Sequence, residues 1–370
     1  MEKGFNISLI GGSHLQSKKP VQDASGTERG DGYEIAVVCD GHGSNKHFRS
    51  HIGSALATKV AIKKLREFAI AYPNHADAGR NFGKKAEILK LSIVSEWMNA
   101  INEDRMNDPF KPEELSSGVA PGVDYYSRYT NLVPYGTTML AVLLAKDYYV
   151  ALMIGDGVIL RMTPEGAAVE ESFEGKKLGA QVESMCNQDA AFKIYAKCVK
   201  IEESEKDTAF VLCSDGFCES EAFTSREQMR NWPKRYITVM AKYGLEKAME
   251  MVAGQMRQIT DVSSAMDDIS IAIAVKDPNA YLGAKKTEDN EAQKTDAPAD
   301  DEKKDAQTEA KPENTDGAAP ADAEVKPEAA VAEANKPEAP EANATAEAKT
   351  DSAPAATPTE APVADDAAQG

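Results

Sequence analysis

Three apolar runs of strand length in this chain end on an Asp-Gly pair, and a fourth starts directly after Asp-Asp. Val37-Val38-Cys39 runs into Asp40-Gly41, Leu152-Met153-Ile154-Gly155 into Asp156-Gly157, and Val211-Leu212-Cys213-Ser214 into Asp215-Gly216. Asp267-Asp268 precedes the alternating run Ile269 to Val275. One Asp-Gly after a strand is an ordinary turn. Four acidic edges in one domain are harder to dismiss, because carboxylates gathered at one end of a sheet repel each other unless a cation lies between them. Oxygen donors without a His-Cys set favour magnesium or manganese over zinc. Two such ions a few ångströms apart would activate water and clamp a phosphoryl group. The residues alone therefore point to a carboxylate-rich site for hard metals, acting on phosphate.

The rest of the chain limits where that site can be. From Gly283 to Gly370 there are 22 Asp and Glu against 9 Lys and no Arg, which leaves only −5 of the chain's −18 to residues 1–282. This last segment has no aromatic residue, contains half of the 18 prolines and repeats Lys-Pro-Glu at Lys311, Lys326 and Lys336. Such a composition buries too little apolar surface to offset chain entropy, so residues 283–370 are expected to be a disordered acidic tail. The nearly balanced remainder argues against nucleic acid as a ligand. Cys39, Cys186, Cys198, Cys213 and Cys218 form no C-x-x-C pair and read as thiols of a reducing compartment. The N-terminus lacks a signal-peptide profile, so a cytoplasmic location is expected. Met139 to Gly155 is the most apolar stretch, but Lys146-Asp147 interrupts it, which predicts a buried hairpin rather than a membrane span.

Residues 1–282 form one domain in this reading. Strands are predicted over Phe5–Ile10, Glu34–Cys39, Met139–Ala145, Tyr148–Ile154, Val158–Met162, Phe192–Val199, Ala209–Cys213 and Ile269–Val275. In the last, Ile269, Ile271, Ile273 and Val275 share a face, as in a strand with one buried side. Helices are predicted over about Phe48–Ala71, on Phe48, Ile52, Leu56 and Val60, and over Lys84–Arg105, on Ile88, Leu91, Val94, Met98 and Ile101. A third covers Lys234–Ile259, with Met240, Tyr243, Met251 and Val252 inward. Clustered strands and blocks of helices suggest a layered α+β fold.

Read in order, these segments resemble the type 2C metal-dependent protein phosphatases (the PPM family) over about Asn6 to Val275. The elements are Gly12-Ser13-His14, Gln22-Asp23-Ala24, Asp40-Gly41-His42-Gly43, Gly136-Thr137-Thr138, Gly155-Asp156-Gly157, Cys213-Ser214-Asp215-Gly216 and Asp267-Asp268. The first two look most like a bacterial branch of the family. The resemblance implies a four-layer α/β/β/α sandwich of two antiparallel sheets flanked by helices. It implies that Asp40 bridges two metals, that Asp215 and Asp267 complete the first site, and that the Gly41 carbonyl and the Gln22 position serve the second. Asp23 is counted in this ligand set, and Asp156 matches the aspartate of a third, weaker site. The ions would be Mn2+ or Mg2+, two or three in number. A metal-bridging hydroxide would attack phosphorus in line, and His42 matches the general acid that protonates the departing Ser or Thr oxygen.

Lys18 lies where the family often has a phosphate-gripping Arg; lysine supplies charge without the bidentate fork, and Lys18-Lys19 could equally be a solvated loop pair. His47 and His51 are spaced i,i+4 but lack the Glu of a metalloprotease helix, so they read as solvent-facing. His14 is assigned no chemistry. Gln22 stands in place of the usual Glu and removes one negative charge. Asp268 stands where Asn is common. The implied activity is that of a protein-serine/threonine phosphatase, with phosphorylated Ser/Thr proteins and a cognate kinase as partners and a monomeric state. A pseudophosphatase that only binds metal or phosphopeptide is the alternative Gln22 keeps open; an acidic tail acting as an interaction arm is a third. Substrate contacts are expected from about Gly166 to Ala191 and from Asp104 to Pro134.

Overall fold

In the computed structural model, Ile269, Ile271, Ile273 and Val275 are buried, and so are the small residues between them, Ser270, Ala272 and Ala274. The expected strand with one buried side is therefore a strand buried on both. The bulky set faces helices, packing with Tyr236, Ile237, Val252 and Met256. The small set faces a second sheet, where Ala272 and Ala274 meet Ala36, Val38, Leu140 and Val142. Small side chains on this strand leave room for the larger ones of the facing sheet to interdigitate.

The structure describes residues 4–118, 130–176, 182–262 and 267–283. Among the described residues there are ten strands, β1 (Phe5–Leu9), β2 (Ala24–Gly30), β3 (Tyr33–Cys39), β4 (Met139–Ala145), β5 (Tyr148–Ile154), β6 (Val158–Met162), β7 (Val169–Glu170), β8 (Tyr195–Lys200), β9 (Ala209–Cys213) and β10 (Ile269–Val275). They form two five-stranded sheets, ordered β1-β10-β9-β6-β7 and β2-β3-β4-β5-β8, with every pairing antiparallel. The Ser50–Ala71 and Phe82–Asn107 helices cover the second sheet, burying Ala57, Leu65 and Trp97 against Ile35, Val37 and Leu143. The Trp97 indole N–H donates to the Gly53 carbonyl at 2.9 Å and ties the two helices together. The Lys234–Tyr243 and Leu245–Val262 helices cover the first sheet. The result is the expected four-layer α/β/β/α sandwich.

Met139–Ala145 and Tyr148–Ile154 form the predicted buried hairpin. No helix among the described residues is long and apolar enough to cross a membrane. Several local expectations are corrected. Phe192–Val199 begins as a helical turn, Ala190–Lys193, with Phe192 exposed, and becomes strand only at Tyr195. The Lys234–Ile259 helix is two helices, broken at Gly244, whose φ of 78° is left-handed backbone that glycine tolerates. That break turns Tyr243 outward, and Met251 is also partly exposed, while Met240 and Val252 are buried. In Phe82–Asn107 the inward stripe is Leu89, Ile93, Trp97 and Ile101, leaving Ile88 and Leu91 exposed. The expected tail lies outside the described residues except for Gly283, as do residues 119–129 and 177–181 of the two expected substrate segments.

Candidate active site

Antiparallel register brings the acidic edges to one pole of the sandwich. Cys39 pairs with Ala24, so Asp40 and Asp23 emerge side by side. Cys213 pairs with both Val158 and Ile271, which puts Asp215 at the end where β10 begins after Asp267. Ile154 pairs with Met139, so Asp156 leaves the second sheet at the same pole. Asp40 is held by its backbone. Its carbonyl accepts from the Thr137 hydroxyl and the Thr138 N–H, each at 2.8 Å, and its N–H donates to Thr138 Oγ1 at 3.0 Å. The Gly136-Thr137-Thr138 motif is thus a buttress for Asp40.

Like charges at this pole raise one another's affinity for protons. The Asp40 carboxyl is held well above its ordinary range by burial and by Asp23, Asp215 and Asp267. Asp215 is raised by burial and by Asp156 and Asp267, against a hydrogen bond with Asp40 and one from the Gly216 N–H. Asp267 is raised by burial, against the Asp268 N–H that it accepts at 2.8 Å. Asp23 is raised by burial and by Asp268 and Asp215, against hydrogen bonds from Ser214 and Ser270. Two carboxylates in contact, as Asp40 and Asp215 are, need a proton or a cation between them.

Buried Asp23 Oδ2, Asp215 Oδ1 and Gln22 Oε1 have no hydrogen-bond partner among the described residues. Unsatisfied oxygens beside mutually repelling carboxylates are the donor set a hard divalent cation requires, so the residues fit the expected metals. Among the described residues, no three His, Cys, Asp or Glu side chains are already drawn into a coordinating group. The Gln22 amide donates to Ser50 Oγ at 2.6 Å and leaves Oε1 free. Asp156 is exposed, and its charge is felt at Asp215.

Asp268 has a different part. It is 2% exposed, accepts from the Gly11 and Gln22 N–H groups at 2.7 and 2.6 Å, and lies 2.9 Å from His14 Nδ1. It clasps the N-terminal segment onto the pole, and His14, given no role from sequence, is half of that clasp. Gly-Ser-His in the motif list was the available signal.

His42 is half-buried. Its N–H donates to the Gly136 carbonyl at 3.1 Å, and burial with the nearby Lys46 charge pushes its imidazole down to about 4. The expected solvent-facing His47–His51 pair is overturned. His47 ends a separate turn, Asn45–His47, and is buried, with Nδ1 bonded to the Val133 carbonyl. Its ring centroid lies 4.7 Å from that of His42. Lys18 is exposed at the end of the Gly12–Ser17 helix, with φ 56°, and its side chain makes no hydrogen bond or ion pair to another described residue. The neighbouring Lys19 ammonium instead donates to the Gly43 carbonyl at 2.8 Å.

A family model described as protein phosphatase 2C matches residues 10–253. Among solved structures the chain is similar to PppA of Pseudomonas aeruginosa, a key regulatory component of its T6SS, at 16% identity over 73% of this chain and 95% of that one, with a TM-score of 0.43. It is similar to the Mycobacterium tuberculosis serine/threonine phosphatase PstP/Ppp at 13% identity over 73% and 96%, TM-score 0.41. It is also similar to a C. elegans sex determining protein at 12% identity over 75% and 67%, TM-score 0.46. No curated protein sequence matches the chain significantly.

Proposed function

This chain belongs to the protein phosphatase 2C family and is a protein-serine/threonine phosphatase, and from that premise we propose how its residues divide the work. Asp40, Asp215 and Asp267 would hold one divalent cation. Asp40, the Gly41 carbonyl, Gln22 and Asp23 serve a second, with Asp156 available to a third; manganese and magnesium suit these oxygen donors. Bound there, such cations would supply positive charge for the phosphoryl group and a lowered pKa for a water molecule. The observation that carries this reading is the set of buried, unpartnered oxygens of Asp215, Asp23 and Gln22 at the pole where Asp40 and Asp267 emerge.

His42 protonates the serine or threonine oxygen as its bond to phosphorus breaks. With its pKa at about 4 the free ring is neutral near pH 7, and a phosphate dianion placed against it favours the charged form. Lys19, bonded beside Gly43, and Lys46, whose charge reaches His42, are better placed than exposed Lys18 to meet substrate phosphate. The substrates are phosphorylated proteins, opposing a Ser/Thr kinase in the cytoplasm. The test is phosphate release from p-nitrophenyl phosphate and from a phosphothreonine peptide. Release should require manganese or magnesium and be abolished by Asp40→Ala or Asp215→Ala. Full activity in excess chelator overturns the reading.

A further inference from the structure

The buried histidine behind His42 is not accounted for by metal binding or by the expected surface pair. His47 is 6% exposed. Its Nδ1 is bonded to the Val133 carbonyl, which can only accept, so Nδ1 carries the hydrogen and the ring's tautomer and orientation are fixed. The His42 ring lies against it, centroid to centroid 4.7 Å, tilted by 56°. Gly136 completes the contact. Its carbonyl takes the His42 N–H at 3.1 Å, and a Cβ there would fall 2.5 Å from His47 Nδ1 and 2.8 Å from His42 Cδ2.

The segment that supplies both carbonyls is itself anchored. The Arg49 N–H donates to the Pro134 carbonyl at 2.9 Å, and the Arg49 guanidinium donates to the Tyr135 hydroxyl at 3.1 Å. His47 thus rests on a fixed loop, and the half-buried His42 ring rests on His47.

We infer that His47 is a positioning residue that holds the His42 imidazole in the orientation from which it delivers its proton to the leaving oxygen. Among the described residues the His42 ring makes no hydrogen bond of its own, so rotation about χ1 and χ2 is limited by packing, and the buried neighbour supplies that limit. The inference rests on the reading of His42 as the general acid, so the experiment separates the two.

An alkoxide leaving from phosphothreonine needs a proton, whereas p-nitrophenolate leaves without one. Three variants of the full chain are assayed on both substrates in saturating manganese: His42→Ala, His47→Asn and His47→Phe. His47→Phe keeps an aromatic ring in the buried site and loses the bond to Val133. The expected result for His47→Asn is a fall in kcat of about 100-fold on the phosphothreonine peptide, the scale of a misplaced catalytic group. For His47→Phe the expected fall is about tenfold, as only the anchor is lost. Both should keep KM and stay within about threefold of the parent on p-nitrophenyl phosphate, where no proton is needed. Equal losses on the two substrates, or no loss on either, overturn the inference while a selective loss in His42→Ala leaves the general acid standing. If His42→Ala itself shows no difference between the substrates, the general-acid reading falls, and this inference with it.

Discussion

Replacing Asp215 by asparagine should stabilise the metal-free protein while removing its response to metal. In the parent chain the Asp215 and Asp40 carboxyls act on one another, and both are held above the ordinary range by burial and by neighbouring acids. The amide of Asp215→Asn can donate to the Asp40 carboxylate without a shared proton. A hydrogen bond to a charged group contributes about 1.5–3 kcal/mol. At roughly 2–4 °C per kcal/mol for a domain of this size, the melting temperature should rise by about 3–12 °C. The gain should depend on pH. A carboxyl whose folded pKa is raised binds more protons folded than unfolded, so the parent gains stability as pH falls from neutral toward the ordinary carboxylate range. The advantage of Asp215→Asn therefore shrinks over that interval.

Metal acts in the opposite direction on the comparison. Manganese at about 100 times its Kd should stabilise the parent by roughly 2.7 kcal/mol per site, and Asp215→Asn should lose most of that response. The assay is thermal unfolding in chelator and in manganese, at pH 7 and pH 5. A lower melting temperature for Asp215→Asn in chelator, or an undiminished manganese shift, would refute the argument from carboxylate crowding.

Two further outcomes follow from contacts near the pole. Gln22→Glu should lower the manganese midpoint in calorimetry by about tenfold, roughly 1.4 kcal/mol, because Ser50 Oγ can donate to the new carboxylate as readily as it accepts from the amide at 2.6 Å. Arg49→Met should cost about 3–5 kcal/mol in denaturant unfolding, since the 1%-exposed guanidinium forks onto Glu114 at 2.8 and 2.9 Å and reaches the Asp108 carbonyl at 2.6 Å. Burial alone would raise the Glu114 carboxyl, but Arg49 and the Lys111 N–H hold it below its ordinary range. The contribution of this pair is thus complete above the ordinary carboxylate range and lost as pH falls through the lowered Glu114 value, so the gap between parent and Arg49→Met should narrow in acid.

Strands buried on both faces were the plainest in the sequence, because continuous apolar runs such as Met139–Ala145 and Ala209–Cys213 leave few other readings. Ala24–Gly30 was not legible. Ala-Ser-Gly-Thr-Glu-Arg-Gly has no apolar alternation, and the strand exists because it pairs along all of β3. That missed strand is also what places Asp23 beside Asp40. The Phe82–Asn107 helix was found but turned, since Ile88-Leu91 and Leu89-Ile93-Trp97 both have helical spacing and only the neighbouring helix chooses between them. The acidic pole could be read from the Asp-Gly pairs at Asp40, Asp156 and Asp215 and from Asp267-Asp268 before β10. The His14–Asp268 clasp could not, because its halves lie at opposite ends of the domain and no local spacing joins them.

The pole also explains how repelling groups are kept in place. Asp40 is fixed through its main chain by Thr137 and Thr138. Asp267 accepts from the Asp268 N–H, Asp215 from the Gly216 N–H, and Asp268 from the Gly11 and Gln22 N–H groups. None of these anchors requires another acid of the cluster to be present. The positions of these carboxylates are therefore set by strand ends and backbone donors, so removing one of them should change the charge of the pole without dispersing the rest. The same independence lets the fold tolerate a destabilised corner: Asp40, Asp156, Asp215 and Asp267 sit at the ends of β3, β5, β9 and β10, whose interior faces carry the packing, and a cation bound there would relieve repulsion in a frame that is already built.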